Sequence, residues 1–273
     1  MTRARAIIEK LVHKAVLRFL YPYAPGAIRF RCNLCGTDQA VSPGRLTRET
    51  VSCWKCSSNI RFRSLVHLLS MELFGVSLLL TDFPLRKDCV GIGLSDDRTY
   101  ARGLEAAFAY TNTSYDLAPK LDILSIDPRA EGSLDFLIAS DVFEHVPPPV
   151  QTAFRNAHRL LKPDGLFVLT VPYRREGETE EHFPSLYDWR LVKSGRKCVL
   201  SNTTREGVRE VFDTLTFHEG RGLTLEMRVF SLPALIQELE RAGFRQIHVC
   251  REPHESYGIY WSEADPSPIL ARA

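Results

Sequence analysis

The chain has 273 residues, 44% of them hydrophobic, 10% aromatic and 25% charged, a composition that excludes global disorder and allows one large domain beside a small one. No apolar run approaches the ~20 residues of a membrane-spanning helix, and the N-terminal basic and apolar residues are interleaved rather than split as in a secretory signal, so a cytoplasmic protein is expected. The net charge of +2 conceals an asymmetry: residues 1–63 hold twelve Lys/Arg against three acidic residues, and the remainder holds 23 against 30. A basic module of this kind either meets an anionic partner, such as nucleic acid, a phospholipid surface or a phosphorylated substrate, or is simply a solvated surface.

Residues 4–20 place Ile7, Ile8, Leu11, Val12, Ala15, Val16, Phe19 and Leu20 at helical spacing, with Arg3, Lys10, Lys14 and Arg18 on the other side and Pro22 ending the run. This amphipathic segment (residues 1–26 with its exit turn) is expected to dock its apolar stripe on its own protein; peripheral membrane contact through residues 4–20 is the competing reading. Residues 27–63 contain Cys32-x2-Cys35 and Cys53-x2-Cys56, seventeen residues apart. Each pair lets two thiolates on a tight turn reach one ion, and two such knuckles complete a tetrahedral zinc site. Gly36 follows the first knuckle, where a positive φ helps the turn. With all four positions filled by the protein, the Zn2+ is expected to be structural. Disulfides fit poorly with three spare thiols, and Cys89, Cys198 and Cys250 read as small core hydrophobes. A helix at Ser64–Phe74, within a linker of residues 64–85, joins this ribbon to the rest.

From residue 86 the pattern changes to short apolar runs alternating with helical periods, the signature of a βαβ sheet. Strands are predicted at Cys89–Leu94, Ala109–Tyr115, Leu134–Ser140, Leu166–Val171 and Arg245–Val249, and helices at Thr99–Phe108, Val150–Leu161 and Leu232–Ala242. Ligands bind beyond the carboxyl ends of such strands. After the first strand comes Gly91-Ile92-Gly93-Leu94-Ser95, small residues that let the backbone approach a ligand or merely turn tightly. After the second come Asp116 and, six residues on, Asp122, either of which suits a ribose or an adenine amino group. After the third comes Ser140-Asp141-Val142-Phe143-Glu144-His145, a cluster that argues for a site more than for packing.

Residues 134–172 resemble the core of class I S-adenosylmethionine-dependent methyltransferases: a buried strand, a glutamate-histidine-valine turn, a helix, Leu161-Lys162-Pro163-Asp164-Gly165 and a further strand. The resemblance covers most of residues 86–172 and is weaker to the C-terminus. It implies an α/β, Rossmann-like, mostly parallel seven-stranded sheet with helices on both faces and its last strand antiparallel, built from residues 86–273. It implies S-adenosylmethionine as cofactor, with Gly91, Gly93 and Ser95 beside the methionine moiety and Asp122, with Ile123, at the adenine. Ser140, Asp141, Val142, Glu144 and His145 become the loop closing over the cofactor. The stretches CWKCSSNIRFRSL, YTNTSYDLAPKLDI and TLEMRVFS are similar to bacterial methyltransferases carrying a four-cysteine ribbon, often found alongside glycan-building enzymes. Two positions depart from the family pattern: Cys89 stands where an acid precedes the first glycine, and Ser95 replaces the third glycine; Asp116 and Asn112 compete as the ribose ligand.

Methyl transfer from a sulfonium needs alignment above all, and a hydroxyl acceptor also gains from a general base. Candidate bases are His145, and His182 and His218 from an insertion at residues 174–228 that lies where a substrate lid belongs; surface histidines in a variable loop are the plainer reading. The expected activity is methylation of a sugar or glycan-linked small molecule. The competing readings are an RNA methyltransferase gripping phosphates with the basic ribbon, and a non-catalytic scaffold with a degenerate cofactor site.

Overall fold

A computed structural model of the chain describes residues 12, 14–20, 25–194, 197–218 and 224–273. Most of the predicted N-terminal helix thus lies outside the described residues. Its described end, Val16–Leu20, is a π-turn, and the wider winding changes which residue faces inward. Leu17 is buried against Phe30, Val41, Leu46, Ile60 and Ile259, whereas Val12, Phe19 and Leu20 of the expected stripe are exposed.

The ribbon is a hairpin of β1 (Ile28–Arg31) and β2 (Asp38–Val41) followed by the second knuckle. Gly36 takes φ +68, as the turn requires, and Ser57 repeats that conformation after Cys56 with φ +67. Helix α1 spans Ile60–Phe74, four residues longer at its start than predicted, because the Asn59 side chain caps the Phe62 N–H; Gly75 ends it in the left-handed region.

The second module is laid down as β3 (Arg86–Leu94), α2 (Arg98–Ala107), β4 (Phe108–Thr113), β5 (Leu134–Ser140), α3 (Gln151–Leu160) and β6 (Leu161–Thr170). An insertion follows with β7 (Tyr173–Arg174), β8 (Glu180–Glu181), β9 (Asp188–Ser194), β10 (Lys197–Thr203), β11 (Arg209–Phe212) and β12 (Arg228–Ser231), and the chain closes with α4 (Leu232–Ala242), β13 (Arg245–Val249) and β14 (Ile269–Arg272). The central sheet runs β13-β14-β6-β5-β3-β4. Strands β3, β4, β5 and β6 are mutually parallel, and β14 is antiparallel to both its neighbours. The Rossmann-like class and the antiparallel last strand are as expected, but six strands pair rather than seven. The twenty residues from Ser114 to Ser133, interrupted by Pro119 and Pro128, form turns, one isolated bridge and a single 3-10 turn at Pro128–Ala130; they are too few for a crossover helix and another strand.

The glycines of β3 answer to packing. A Cβ on Gly91 would stand 2.1 Å from the Phe136 ring, and one on Gly93 would stand 1.9 Å from the Tyr110 hydroxyl. We expect Gly91→Ala to destabilise the ligand-free protein by about 1–3 kcal/mol through overpacking, read as a lower urea midpoint; an unchanged midpoint would return Gly91 to a purely ligand-facing role.

The insertion is a folded β cap rather than a loop. Strands β9, β10 and β11 form an antiparallel sheet, and Phe183, Leu200, Leu225 and Met227 make a small core of their own. Arg228 clasps the cap to the loop after β5. Its fully buried guanidinium donates to the carbonyls of Phe143 (2.8 Å) and Val146 (2.6 Å) and pairs with Glu181 at 2.6 Å. Among the described residues no helix is long and apolar enough to cross a membrane.

Candidate active site

A cavity of about 330 Å³ opens at the carboxyl ends of β3, β4 and β5, beneath the cap, within the size range of small-molecule sites. Of the residues picked out in the sequence, Ser95, Asp116, Asp122, Ile123, Asp141, Val142 and His145 line it. Gly91, Gly93, Ser140 and Glu144 do not: the glycines are enclosed by Phe136, Tyr110 and Asp96, and Ser140 and Glu144 are buried behind the wall. Cap residues Trp189, Leu191, Thr224, Leu225 and Met227 supply the opposite wall.

Each carboxylate is positioned locally. Ser95 adopts φ +58, so the turn that a third glycine would make is made here by a serine. Asn112 is engaged with the glycine loop, accepting from the Asp96 N–H (2.9 Å) and donating to the Asp96 carbonyl (2.8 Å). Of the two ribose candidates it is Asp116, three residues beyond β4, and not Asn112, that lines the cavity. Asp122 is oriented by the Leu124 N–H, which donates to its Oδ1 at 2.9 Å. Asp96 is buried with Oδ2 accepting from the Tyr110 hydroxyl at 2.5 Å, and burial pushes its carboxyl up to about 7 against that hydrogen bond.

Asp141, also with a positive φ of +55, is held by residues the sequence reading did not connect to it. Arg48, from the loop between the knuckles, donates to both its carboxylate oxygens at 3.0 and 2.5 Å. Arg61, in the first turn of α1, stands 3.3 Å from Oδ2 and donates to the Ser140 hydroxyl at 2.5 Å. Thr170 at the end of β6 donates to Oδ1 at 2.9 Å. Burial alone would push the Asp141 carboxyl up, but the guanidinium charges of Arg48 and Arg61 outweigh it and hold the group below its ordinary value. Arg63 is fully buried as well, donating to Ser52 and to the Gly258 carbonyl at 2.9 Å each. Three of the ribbon's basic residues are therefore spent inside the protein, which thins the basic surface offered to an anionic partner.

The structure brings together the three histidines singled out as bases. His145 is on the cavity wall, and its Nδ1 lies 3.0 Å from the Leu225 carbonyl. Since a carbonyl only accepts, Nδ1 carries the proton, and burial keeps the ring's proton affinity below the ordinary value. His182 and His218 place their Nε2 atoms 2.9 and 2.7 Å from the two oxygens of Glu226, and the His145 and His218 rings meet edge to face with centroids 5.1 Å apart. Glu226 escaped the sequence reading because nothing in TLEMRVFS distinguishes it from a surface glutamate. At the ribbon, the sulfurs of Cys32 and Cys56 are 3.6 Å apart and those of Cys35 and Cys53 are 3.7 Å apart.

A family model described as a methyltransferase domain matches residues 75–249. No curated protein gives a significant sequence match. Among solved structures, the chain is similar to 1,6-didemethyltoxoflavin-N1-methyltransferase of Burkholderia thailandensis, solved with 1,6-didemethyltoxoflavin and S-adenosylhomocysteine, at 16% identity over 77% of this chain and 76% of that one, TM-score 0.40. It is similar to an S-adenosylmethionine-dependent methyltransferase from Mesorhizobium loti at 15% identity over 80% and 100%, TM-score 0.36. It is also similar to the sugar N-methyltransferase KedS8 from Streptoalloteichus sp ATCC 53650, at 10% identity over 77% and 85%, TM-score 0.41.

Proposed function

This chain belongs to the methyltransferase-domain family, and from that premise we propose that its cavity holds S-adenosylmethionine along the carboxyl edge of the sheet and presents it to a small-molecule acceptor under the β cap. The observation that carries this reading is the convergence in one cavity of Ser95, Asp116, Asp122, Asp141 and His145 with the cap wall. These polar groups follow the carboxyl ends of β3, β4 and β5, the edge along which such sheets take their ligands. Asp116 is assigned to the ribose hydroxyls, Asp122 with Ile123 to the adenine, and Ser95, Asp141 and Val142 to the methionine end.

When bound, the cofactor supplies a methyl group on a positively charged sulfur. The protein's own part is alignment and exclusion of water. Trp189, Leu191 and Met227 close the cavity from the cap, and Arg228 ties the cap to the loop that ends at Val146, so both walls are fixed relative to one another. Alignment of this kind contributes roughly 7–11 kcal/mol to a displacement. His145, neutral and with its Nε2 lone pair free of a proton, is the cavity-wall group suited to handling a proton of the acceptor.

The acceptor is assigned to small molecules, sugars and glycan-linked units included: Trp189 offers an aromatic face to a ring with one apolar side, while the burial of Arg48, Arg61 and Arg63 counts against RNA. The four cysteines are assigned to a structural zinc. A tetrahedral ion with bonds of ~2.3 Å separates its sulfurs by about 3.8 Å, close to the 3.6 and 3.7 Å spacings of these thiols. Calorimetric titration of S-adenosylhomocysteine tests the cofactor reading. The wild type is expected to bind, and Asp116→Ala to bind about 10- to 100-fold more weakly through loss of charge-assisted hydrogen bonds. No binding to folded, zinc-loaded wild type would overturn the reading.

A further inference from the structure

Behind the cavity wall lies a second group of potential metal ligands, apart from the cysteines. One ligand atom each from Glu144, His145 and His218 lie within 4.8 Å of one another. The Glu144 side chain is 0% exposed, and neither of its carboxylate oxygens has a hydrogen-bond partner. A buried carboxylate with two bare oxygens is costly unless something positive sits beside it. Arg48 and Arg61 act on Glu144 only at a distance, their hydrogen bonds to side chains going to Asp141, Glu49 and Ser140. The group facing it is His145, whose Nε2 stands 3.7 Å from Oε1.

The two imidazoles are already arranged as ligands are. His145 donates through Nδ1 to the Leu225 carbonyl, which leaves its Nε2 lone pair on the side of Glu144. His218 is held through Nε2 by Glu226, and Glu226 is braced in turn by His182. A ring nitrogen anchored on a carbonyl or carboxylate while the other stays free is the usual support of a metal-bound histidine. Around a tetrahedral ion with bonds of ~2.1 Å, ligand atoms stand about 3.4 Å apart. Glu144 and His145 are near that spacing, and His218, carried by the cap, has only a short approach to make.

We propose that Glu144, His145 and His218 form a second metal site that binds a divalent transition-metal ion, with a coordination position left open beside His145, the one of the three that lines the cavity. Two imidazoles and one carboxylate favour ions such as Zn2+, Co2+, Fe2+ or Mn2+ over the all-oxygen preferences of Ca2+ and Mg2+. The site itself does not depend on the methyltransferase reading. Its role does: with the ion bound the His145 Nε2 lone pair is taken up by the metal, and the ion, in place of His145 as a base, would ligate an acceptor oxygen and lower the proton affinity of that hydroxyl.

The test uses the 273-residue chain with zinc confirmed in the ribbon, titrated with Co2+ by calorimetry and followed by metal analysis and visible absorption. The expected result is one further equivalent of cobalt, without the intense thiolate charge-transfer bands that exchange into the ribbon would give. Glu144→Gln and His218→Ala are each expected to weaken uptake by about tenfold or more; the second variant lies on the cap and keeps the test open should the first fold poorly. No uptake beyond the ribbon ion, or equal uptake in folded variants and wild type, would overturn the proposal. S-adenosylhomocysteine titrated into the same samples reports separately on the cofactor reading, so failure of one is distinguished from failure of the other.

Discussion

Cys53→Ser, or chelation of the zinc proposed for the ribbon, is expected to weaken S-adenosylhomocysteine binding by about 100-fold, although no cysteine lines the cavity. The path runs through the backbone. Cys53 and Cys56 fix the second knuckle, whose Ser52 and Cys53 N–H groups donate to the Ser58 carbonyl at 3.0 and 3.2 Å. Asn59 then caps α1 and thereby sets the first turn that carries Arg61. The Arg61 N–H donates to the Arg48 carbonyl at 3.2 Å, so the two guanidiniums that hold Asp141 are placed as one unit. Structural zinc supplies folding energy to segments of this size, and the thiolates repel one another without it. Once the knuckle loosens, Asp141 is left as a buried charge lacking its partners, at a cost of about 3–5 kcal/mol, which at 1.4 kcal/mol per decade corresponds to about 10² or more in affinity. The check is calorimetry on zinc-free protein whose central sheet is still folded by circular dichroism. Undiminished affinity there would show that the ribbon and the cofactor site are independent.

That dependence was not legible in the sequence, and the reason is physical. Leu134–Ser140 could be read to the residue because a strand covered on both faces is a continuous apolar run. Leu232–Ala242 could be read because Ser231, Pro233 and Gly243 punctuate it. Asp116, Asp122 and Asp141 were found because topology sends ligands to strand ends. Arg48 and Arg61 were counted as surface charge: their partner lies 93 and 80 positions away, and no local pattern marks a cation destined for burial. The glycines illustrate the opposite case. Gly91 and Gly93 were assigned to the cofactor from their place in a loop, yet Phe136 and Tyr110 occupy the space beside them. The three histidines fell between these cases. Their chemistry singled them out, but only the folded cap brings His182 and His218 to Glu226 and sets His218 against His145.

Asp141→Asn isolates the electrostatic part of this arrangement. Asparagine tolerates the left-handed conformation as well as aspartate does, so the φ of +55 adds no backbone penalty that alanine would bring. The amide still accepts a hydrogen bond, but Arg48 and Arg61 lose the buried carboxylate between them and keep only the half-exposed Glu49 as a charged partner. The expected loss of stability at pH 7 is about 3–5 kcal/mol, or roughly 10 °C in Tm for a chain of this size. The pH dependence gives the sign. The folded carboxyl is held below its ordinary value by the two guanidiniums, so the native state binds fewer protons there than the unfolded chain and the ionised pair stabilises at neutral pH. That contribution is fully present above the unfolded value of ~3.9 and fades as pH falls through the lower folded value. Wild type and Asp141→Asn should therefore differ most near pH 7, and the gap should begin to narrow as pH falls below about 3.9 in urea denaturation series. A gap that stayed constant below that pH would mean that the variant acts through packing rather than through the charge the ribbon arginines meet.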